Sequence, residues 1–231
     1  MEKRGARVLL VGTSHVAEES THAITSAFEH LEPDVVAIEL DRPRARALET
    51  GEKRRGSTLA LFRHSGLFGT VFYLLARFLQ ERIGRSLGIE PGAEMLHAMR
   101  LARERKISIA LIDQDIRITM ARIKRIPLRE KFRFIRDMLS GRMAGNRDLK
   151  ELDLRKIPTD EIVLEVIAAL RERYPAFYRA LVEDRNEVMV RNIERLAQHY
   201  TRVLVVVGKG HMAGMQQILA KRGVPIAGDT P

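Results

Sequence analysis

RVLLVGTSH at residues 7–15 and VLVVVGKGH at residues 203–211 are two versions of one pattern, an apolar run followed by Gly-x-x-His. Apolar runs without polar alternation are typical of strands buried on both faces of a parallel sheet. Two more runs have this character, VVAIEL at 35–40 and ISIALI at 107–112. The sequence therefore predicts an α/β fold, with a mainly parallel central sheet and helices on both faces.

Helical patterns separate these runs, and they are predicted at 16–31, 92–106, 159–173, 177–200 and 212–222. A further basic segment, 117–154, has a helical pattern that Pro127 interrupts. We expect one α/β domain over residues 1–231, with a helical insertion at about 117–200. The apolar stretch at 67–79 contains Arg77 and is too short to cross a bilayer.

The amino-acid composition limits which metal ligands are available and which partners are favoured. The 231 residues include no cysteine, so disulfides and thiolate metal sites are excluded and any metal must be held by His, Asp or Glu. The net charge of +10 favours anionic partners. Nucleic acid ranks low among them, because aromatic residues make up only 5% of the chain and no stacking motif is present. Contact of the Arg-rich helices with an anionic membrane surface ranks higher, and self-association into a homo-oligomer stays open.

The predicted strand ends carry the candidate chemistry. Because parallel strands end at one edge of a sheet, the residues after each strand should meet there. Those residues are His15 after the first strand, Glu39 and Arg42 after the second, Asp113 and Asp115 after the third, and His211 after the fourth. Each strand thus delivers a metal ligand or proton-transfer group to the same edge.

The repeated histidines point to a metal site. Glycine at a strand exit allows a sharp turn and a close backbone approach. The histidine then lies near a helix N-terminus, where the dipole favours the neutral imidazole that binds divalent metals. His15 and His211 together with Glu39 would give a set of two histidines and one carboxylate.

Simpler roles compete with this interpretation. Glu39 has a potential partner in Arg42, three residues on. Asp113 or Asp115 has the residue type of an N-cap for a helix that begins near Ile116. The remaining histidines have no motif and are interpreted as surface or packing residues: His22, His30, His64, His97 and His199.

The motifs together resemble the TraB domain family, which includes the PrgY, GumN and TIKI proteins. The matching segments are Gly12–His15, Glu39–Arg42, Pro91–Met95, Ile112–Ile116, Thr119, Arg122, Glu183–Asn186 and Val207–Gly214. Gln114 departs from the family pattern, where arginine is expected. The resemblance covers nearly the whole chain and is nearest to the archaeal type of PrgY-like pheromone shutdown protein.

That resemblance implies a mixed α/β fold in a superfamily with erythromycin esterase and the haem-uptake protein ChaN. It also implies metal-dependent proteolysis, since TIKI proteins are described as metal-dependent proteases with two Gly-x-x-His motifs and a glutamate. Family members often continue into C-terminal membrane helices. We therefore expect a cytoplasmic domain, with any membrane anchoring through a region beyond this chain.

The leading hypothesis is a peptidase that depends on a divalent metal such as Mn, Co or Zn. His15, Glu39 and His211 would hold the metal, and Glu94 would act as general base, with Asp115 as its substitute. Arg42 and Arg185 would bind a substrate carboxylate or the developing oxyanion. Substrate contacts are expected from Gly12, Ser14, Asp113, Asn186, Gly208, Lys209 and Gly210.

Two alternative functions would use the same group of residues at the strand ends. In the first, the protein captures a peptide such as a pheromone and sequesters it without cleavage. In the second, the protein is a metal-free hydrolase of the esterase kind, in which His15 activates water as a general base. The substrate would be a peptide or another small molecule.

Overall fold

The computed structural model describes residues 6–13, 17–51, 92–139 and 159–227. Its strands are β1 (Arg7–Thr13), β2 (Val35–Ile38), β3 (Ser108–Leu111) and β4 (Arg202–Gly208). Every pairing between them is parallel, and the order across the sheet is β1-β4-β2-β3. The predicted α/β fold with a parallel sheet is confirmed, although β2 and β3 are shorter than the apolar runs that predicted them.

The helices of the described residues are α1 (Ala17–Leu31), α2 (Arg42–Thr50), α3 (Ala93–Glu104), α4 (Ile116–Arg125), α5 (Leu128–Leu139), α6 (Thr159–Arg173), α7 (Pro175–Tyr178), α8 (Asp184–Ala197) and α9 (Lys209–Lys221). A π-helical segment, Arg179–Glu183, joins α7 to α8, so residues 175–197 are helical throughout and the helix predicted at 177–200 is confirmed apart from its ends. Among these helices, none has the length and apolar content needed to cross a membrane.

Helix α2 was missed by the sequence analysis. Asp41 is its N-cap and accepts a hydrogen bond of 2.7 Å from the Arg44 backbone N–H, and Pro43 lies in the first turn. Gly51 ends the helix in the left-handed conformation, with φ of 66°. These start and stop residues are visible in the sequence, but the short stretch between them has too few apolar residues to show a helical period.

The chain divides into two compact units. The first comprises Met1–Arg54, Ile89–Asp115 and Arg185–Pro231, and the second comprises Arg55–Gly88 and Ile116–Asp184. The predicted helical insertion at 117–200 is mainly helical in the residues that the structure describes, and its last helix, α8, belongs almost entirely to the first unit. The single-domain organisation stays a prediction, and the segment 67–79 lies outside the described residues.

The first unit is a sheet covered on both faces. Alternate strand residues face opposite sides, so each face has its own apolar core. One core joins the strands to α1, α2 and α3, with Leu9, Val36, Leu204, Phe28, Ala45 and Met99 among its members. The other joins them to α8 and α9, with Val8, Ala37, Val205, Ile193 and Met215 among its members. Burial on both faces explains why the strands lack polar alternation.

The carboxyl end of β4 is where the chain connections diverge. β4 lies between β1 and β2 in the sheet. The helices that follow β1 and β2 pack on one face, whereas α9, which follows β4, packs on the other. In open α/β sheets such a divergence leaves a crevice at the strand ends, and ligands bind there.

The second unit has a small aromatic core. The ring of Phe134 lies 4.6 Å from that of Phe177 and 5.2 Å from that of Tyr174, between centroids. The Tyr174 hydroxyl donates to a carboxylate oxygen of Asp137 at 2.7 Å, and Arg173 donates to the same oxygen at 2.8 Å. Burial and the bond to Asp137 raise the pKa of Tyr174 to about 12. This core holds α5 against the α6–α7 turn.

Candidate functional site

Glu39 is the centre of a buried polar cluster at the carboxyl end of β2. Its side chain is 10% exposed. Oε2 accepts a hydrogen bond of 2.8 Å from the Gly208 backbone N–H, and Oε1 accepts a bond from Nη2 of Arg185 and lies 3.3 Å from Nε2 of His211. Burial by itself raises the pKa of Glu39, but His211, Arg185 and the Gly208 N–H outweigh burial and hold it far below its ordinary value. Glu39 is therefore a carboxylate at neutral pH.

Arg185 connects Glu39 to the end of β3. It lies in the first turn of α8, where Nε donates to Oδ1 of Asp113 at 3.1 Å and Nη2 donates to Oδ2 at 2.8 Å. Burial lowers the pKa of Arg185, but Glu39 and Asp113 outweigh that effect and raise it. The guanidinium therefore stays charged between the two carboxylates, which is the arrangement that makes a buried charge tolerable.

Asp113 is an ion-pair residue. Besides Arg185, its Oδ2 accepts a bond of 3.1 Å from Nη1 of Arg44, and its Oδ1 accepts a bond of 2.8 Å from the Gln114 backbone N–H. These bonds engage both carboxylate oxygens, and the alternative that Asp113 or Asp115 caps the helix beginning at Ile116 stays a prediction. The alternative pairing of Glu39 with Arg42 is wrong, because Arg185 takes that place.

His211 is oriented by an amide. It lies in the first turn of α9 and is 8% exposed, and its Nδ1 is 2.6 Å from Oδ1 of Asn186, which is 2% exposed. With the amide oxygen as acceptor, Nδ1 carries the proton, and Nε2 is the ring nitrogen that faces Glu39. A Cβ at Gly214 would lie 2.3 Å from Nδ2 of Asn186, so this glycine gives the amide its room.

The glycines of the two repeated motifs have different roles. A Cβ at Gly12 would lie 2.8 Å from Cγ of Met212, so the close approach expected of a glycine is confirmed there. Gly208 has φ of −64°, and a Cβ there would meet Oε2 of Glu39 at an ordinary 3.5 Å. The expectation of a sterically required glycine is therefore wrong at Gly208, whose backbone N–H is the functional group.

The two Gly-x-x-His motifs start on neighbouring strands. In the register of β1 and β4, Thr13 lies opposite Gly208 and Gly12 lies opposite Val207. The motifs are therefore side by side with an offset of one residue. Ser14 and His15 lie outside the described residues, so the pairing of His15 with His211 stays a prediction.

The fit to a metal ion rests on two of the three predicted ligands. In the part of the chain that the structure describes, no three His, Asp or Glu side chains are grouped as a metal site. Nε2 of His211 and Oε1 of Glu39 are 3.3 Å apart, which suits adjacent ligands on a cation with bonds of about 2.0–2.2 Å. The bond from Nδ1 to Asn186 is the kind of second contact that orients metal-binding histidines. These side chains therefore fit two ligand positions of a divalent cation.

The other predicted site residues are distributed more widely. Arg42 is exposed at the start of α2, and it is Arg44 of that helix that reaches Asp113. Glu94 is buried in the first turn of α3. Asp115 and Lys209 are half-buried, just before α4 and at the start of α9. Their predicted roles stay predictions. Arg44 was missed because, without the cap at Asp41, nothing in the sequence tells which arginine of α2 faces the strand ends.

Fold and site together define an α/β protein with a histidine–carboxylate–guanidinium cluster at the carboxyl edge of its parallel sheet. The chain belongs to the TraB/PrgY/gumN family, whose model matches residues 1–226. It is 30% identical over 218 residues to an uncharacterized protein of Methanocaldococcus jannaschii, an alignment that covers 93% of this chain and 53% of that protein.

More distant relatives come from mammals. Over 239 residues the chain is 23% identical to the TraB domain-containing proteins of Homo sapiens and Bos taurus, with 92% of this chain and 62% of each relative covered. The chain therefore spans between about half and two thirds of the length of these relatives.

Proposed function

We propose that the protein is a hydrolase that depends on a divalent metal and acts on peptides. The observation that carries this proposal is the buried pair of His211 and Glu39, with 3.3 Å between Nε2 and Oε1. Asn186 accepts the proton on Nδ1 of His211, so Nε2 is the ring nitrogen that faces the carboxylate. When the imidazole is neutral, Nε2 and Oε1 are two ligand atoms close enough to bind one divalent cation.

Each residue has a definite task in this proposal. Glu39 is already ionised, because its pKa is far below its ordinary value, so it binds a cation without first losing a proton. Arg185 keeps its two bonds to Asp113 when Oε1 of Glu39 takes up another partner. His15 is the proposed third ligand, since Thr13, two residues before it, lies opposite Gly208. A divalent cation held there would lower the pKa of a bound water and polarise a scissile carbonyl.

Arg185 and Arg44 have different roles in this proposal. Arg185 is 17% exposed and holds the two carboxylates in place. Arg44 is 39% exposed and uses one nitrogen on Asp113, so the rest of its guanidinium is open to a substrate carboxylate. Arg42 stays a second candidate for that contact. Glu94 keeps its proposed role as general base, with Asp115 as substitute.

The test combines metal binding with peptide cleavage. The purified chain is titrated calorimetrically with Mn(II), Co(II) and Zn(II), and then incubated with a peptide mixture whose products are identified by mass spectrometry. We expect metal-dependent products that a chelator suppresses. His211→Ala should abolish both metal uptake and cleavage, as should His15→Ala combined with His211→Ala. His30→Ala, an exposed histidine in the last turn of α1, is the matched control and should change neither.

Other outcomes decide against this function. Stoichiometric peptide binding without products would favour the sequestering protein. Hydrolysis that persists in chelator and is lost in His15→Ala would favour the metal-free esterase. Full metal-dependent activity in the variant that lacks both His15 and His211 would place the site elsewhere.

A further inference from the structure

Helix α5 exposes two large apolar side chains to solvent. Leu128 is 67% exposed and Phe132 is 68% exposed. The two residues are four apart on one helix, so they lie next to each other on the same face. An adjacent pair of exposed large apolar side chains costs free energy in water and marks a surface that contacts a partner.

The same face of α5 is strongly basic. Arg129, Arg133 and Arg136 are exposed and interleave with the apolar pair at helical spacing. Arg136 donates to Asp137 and nevertheless stays 72% exposed. Arg125, at the end of α4, is exposed just before this helix. We call the set Arg125, Leu128, Arg129, Phe132, Arg133 and Arg136 the α5 face.

The acidic side chains of α5 compensate only one arginine of this face, Arg136. Glu130 accepts hydrogen bonds from the backbone N–H groups of Ala176 and Phe177, at 2.8 and 3.0 Å. The side chain of Asp137 is 1% exposed, inside the aromatic core of the second unit. Residues 116–139 contain eight basic and two acidic residues, and both acids are occupied in this way. Among the described residues of α4 and α5, the only acid that pairs with the α5 face is therefore Asp137, with Arg136, and most of the positive charge of the face is uncompensated.

We propose that the α5 face docks on an anionic lipid surface. Leu128 and Phe132 enter the boundary between headgroups and acyl chains, and the arginines bind lipid phosphates while their stems cover the apolar surface. A membrane satisfies both halves of the face. Nucleic acid would pair with the arginines but leave the apolar side chains in water, and a second copy of this chain would bring arginines against arginines.

Binding to lipid vesicles tests the role of the two apolar side chains of the α5 face. The full chain is sedimented with vesicles of phosphatidylcholine containing phosphatidylglycerol, and with vesicles of phosphatidylcholine alone. We expect binding to the anionic vesicles to be at least about tenfold tighter. Leu128→Ser combined with Phe132→Ser should weaken it by about tenfold or more and leave the unfolding midpoint unchanged, because both side chains are exposed. Leu164→Ser, which changes a leucine of α6 that is 53% exposed, is the control and should bind as the native chain does.

A matched pair of charge variants tests the basic half. Arg129→Gln with Arg133→Gln should remove the preference for anionic vesicles. Arg191→Gln with Arg195→Gln makes the same change in net charge at the same spacing on exposed positions of α8, and it should keep the preference. Equal loss in the two double variants would assign the binding to net charge alone and overturn the proposal. Failure of the native chain to bind anionic vesicles, including the case where it binds an acidic protein instead, would also overturn it.

Discussion

Nε2 of His211 lies 3.3 Å from Oε1 of Glu39, although the two residues belong to different strand–helix connections. They meet because β2 and β4 are neighbours in the sheet, with Ile38 opposite Val206. The Glu39 backbone N–H continues that pairing and donates to the Val206 carbonyl at 3.1 Å. Main-chain geometry thus sets the distance between the two side chains, and the surrounding partners set their charge and orientation.

Replacing Glu39 with glutamine should reduce the proposed metal-dependent hydrolysis by about 100-fold or more, because the neutral amide is a weaker metal ligand than the carboxylate. Calorimetric titration with Zn(II) or Mn(II) should show weaker metal binding in the same variant. Glu187→Gln makes the same chemical change on α8, in a side chain that pairs with Arg222 at the surface, and should retain native activity. Native metal affinity in Glu39→Gln would remove Glu39 from the ligand set.

Asn186 should act through the tautomer of His211. Asn186→Leu removes the acceptor for the Nδ1 proton, and we expect a loss of activity of about 10- to 100-fold. Asn186→Asp keeps an acceptor for that proton, so it should retain more activity than Asn186→Leu. Nitrogen-15 NMR of the histidine ring distinguishes the tautomers. An unchanged ring spectrum in Asn186→Leu would contradict this role.

Gly214→Ala should destabilise the protein by about 1–3 kcal/mol, because its Cβ would meet Nδ2 of Asn186 at 2.3 Å. Asn186→Ala removes the amide that the new Cβ would meet. In that background Gly214→Ala should therefore cost less free energy of unfolding than it does alone, and a double-mutant cycle in urea measures this coupling. Ala220→Ser, on the exposed side of the same helix, controls for the added atom. Strict additivity in the cycle would show that the two residues do not compete for space.

Asp113 and Arg44 should differ in their contribution to stability. The Asp113 side chain is 2% exposed and holds Arg185, so Asp113→Asn leaves a buried guanidinium with one carboxylate and should cost about 3 kcal/mol or more. Arg44 is 39% exposed, and Arg44→Gln should cost no more than about 1 kcal/mol. Urea unfolding of both variants gives the comparison. Equal costs would mean that the ion pair of Asp113 with Arg44 contributes as much to stability as its buried pair with Arg185.

Tyr174 should make the protein less stable at high pH. Its pKa in the folded chain is about 12, against 10.0 for the free side chain. Because the folded value is the higher one, the stabilisation is complete below pH 10 and is lost as the pH rises towards 12. Tyr174→Phe should lower the free energy of unfolding at pH 8, because Asp137 loses a donor, and should show a smaller fall between pH 10 and pH 11. The same fall in both proteins would assign the alkaline sensitivity to other groups.

Much of the candidate site could be anticipated from the strand ends. Glu39, Asp113 and His211 follow apolar runs that are strands in the structure, so their convergence on one edge is a consequence of a parallel sheet. The choice between Arg42 and Arg44 could not be anticipated, because it depends on the direction in which α2 leaves the sheet. The contacts of α8 were equally hidden, since Arg185 and Asn186 are adjacent in the chain and hold different partners, Glu39 and His211.

The sequence by itself determined the strands and most helices of the fold, the parallel character of the sheet and the family. Apolar runs without alternation leave a strand no stable place except between two helical layers, so local pattern suffices for these features. Only the tertiary structure decided the strand order β1-β4-β2-β3 and, through it, which buried charges share a partner. Strand order and ion pairing depend on contacts between residues far apart in the chain, and a buried carboxylate takes the partners that the assembled sheet edge brings to it.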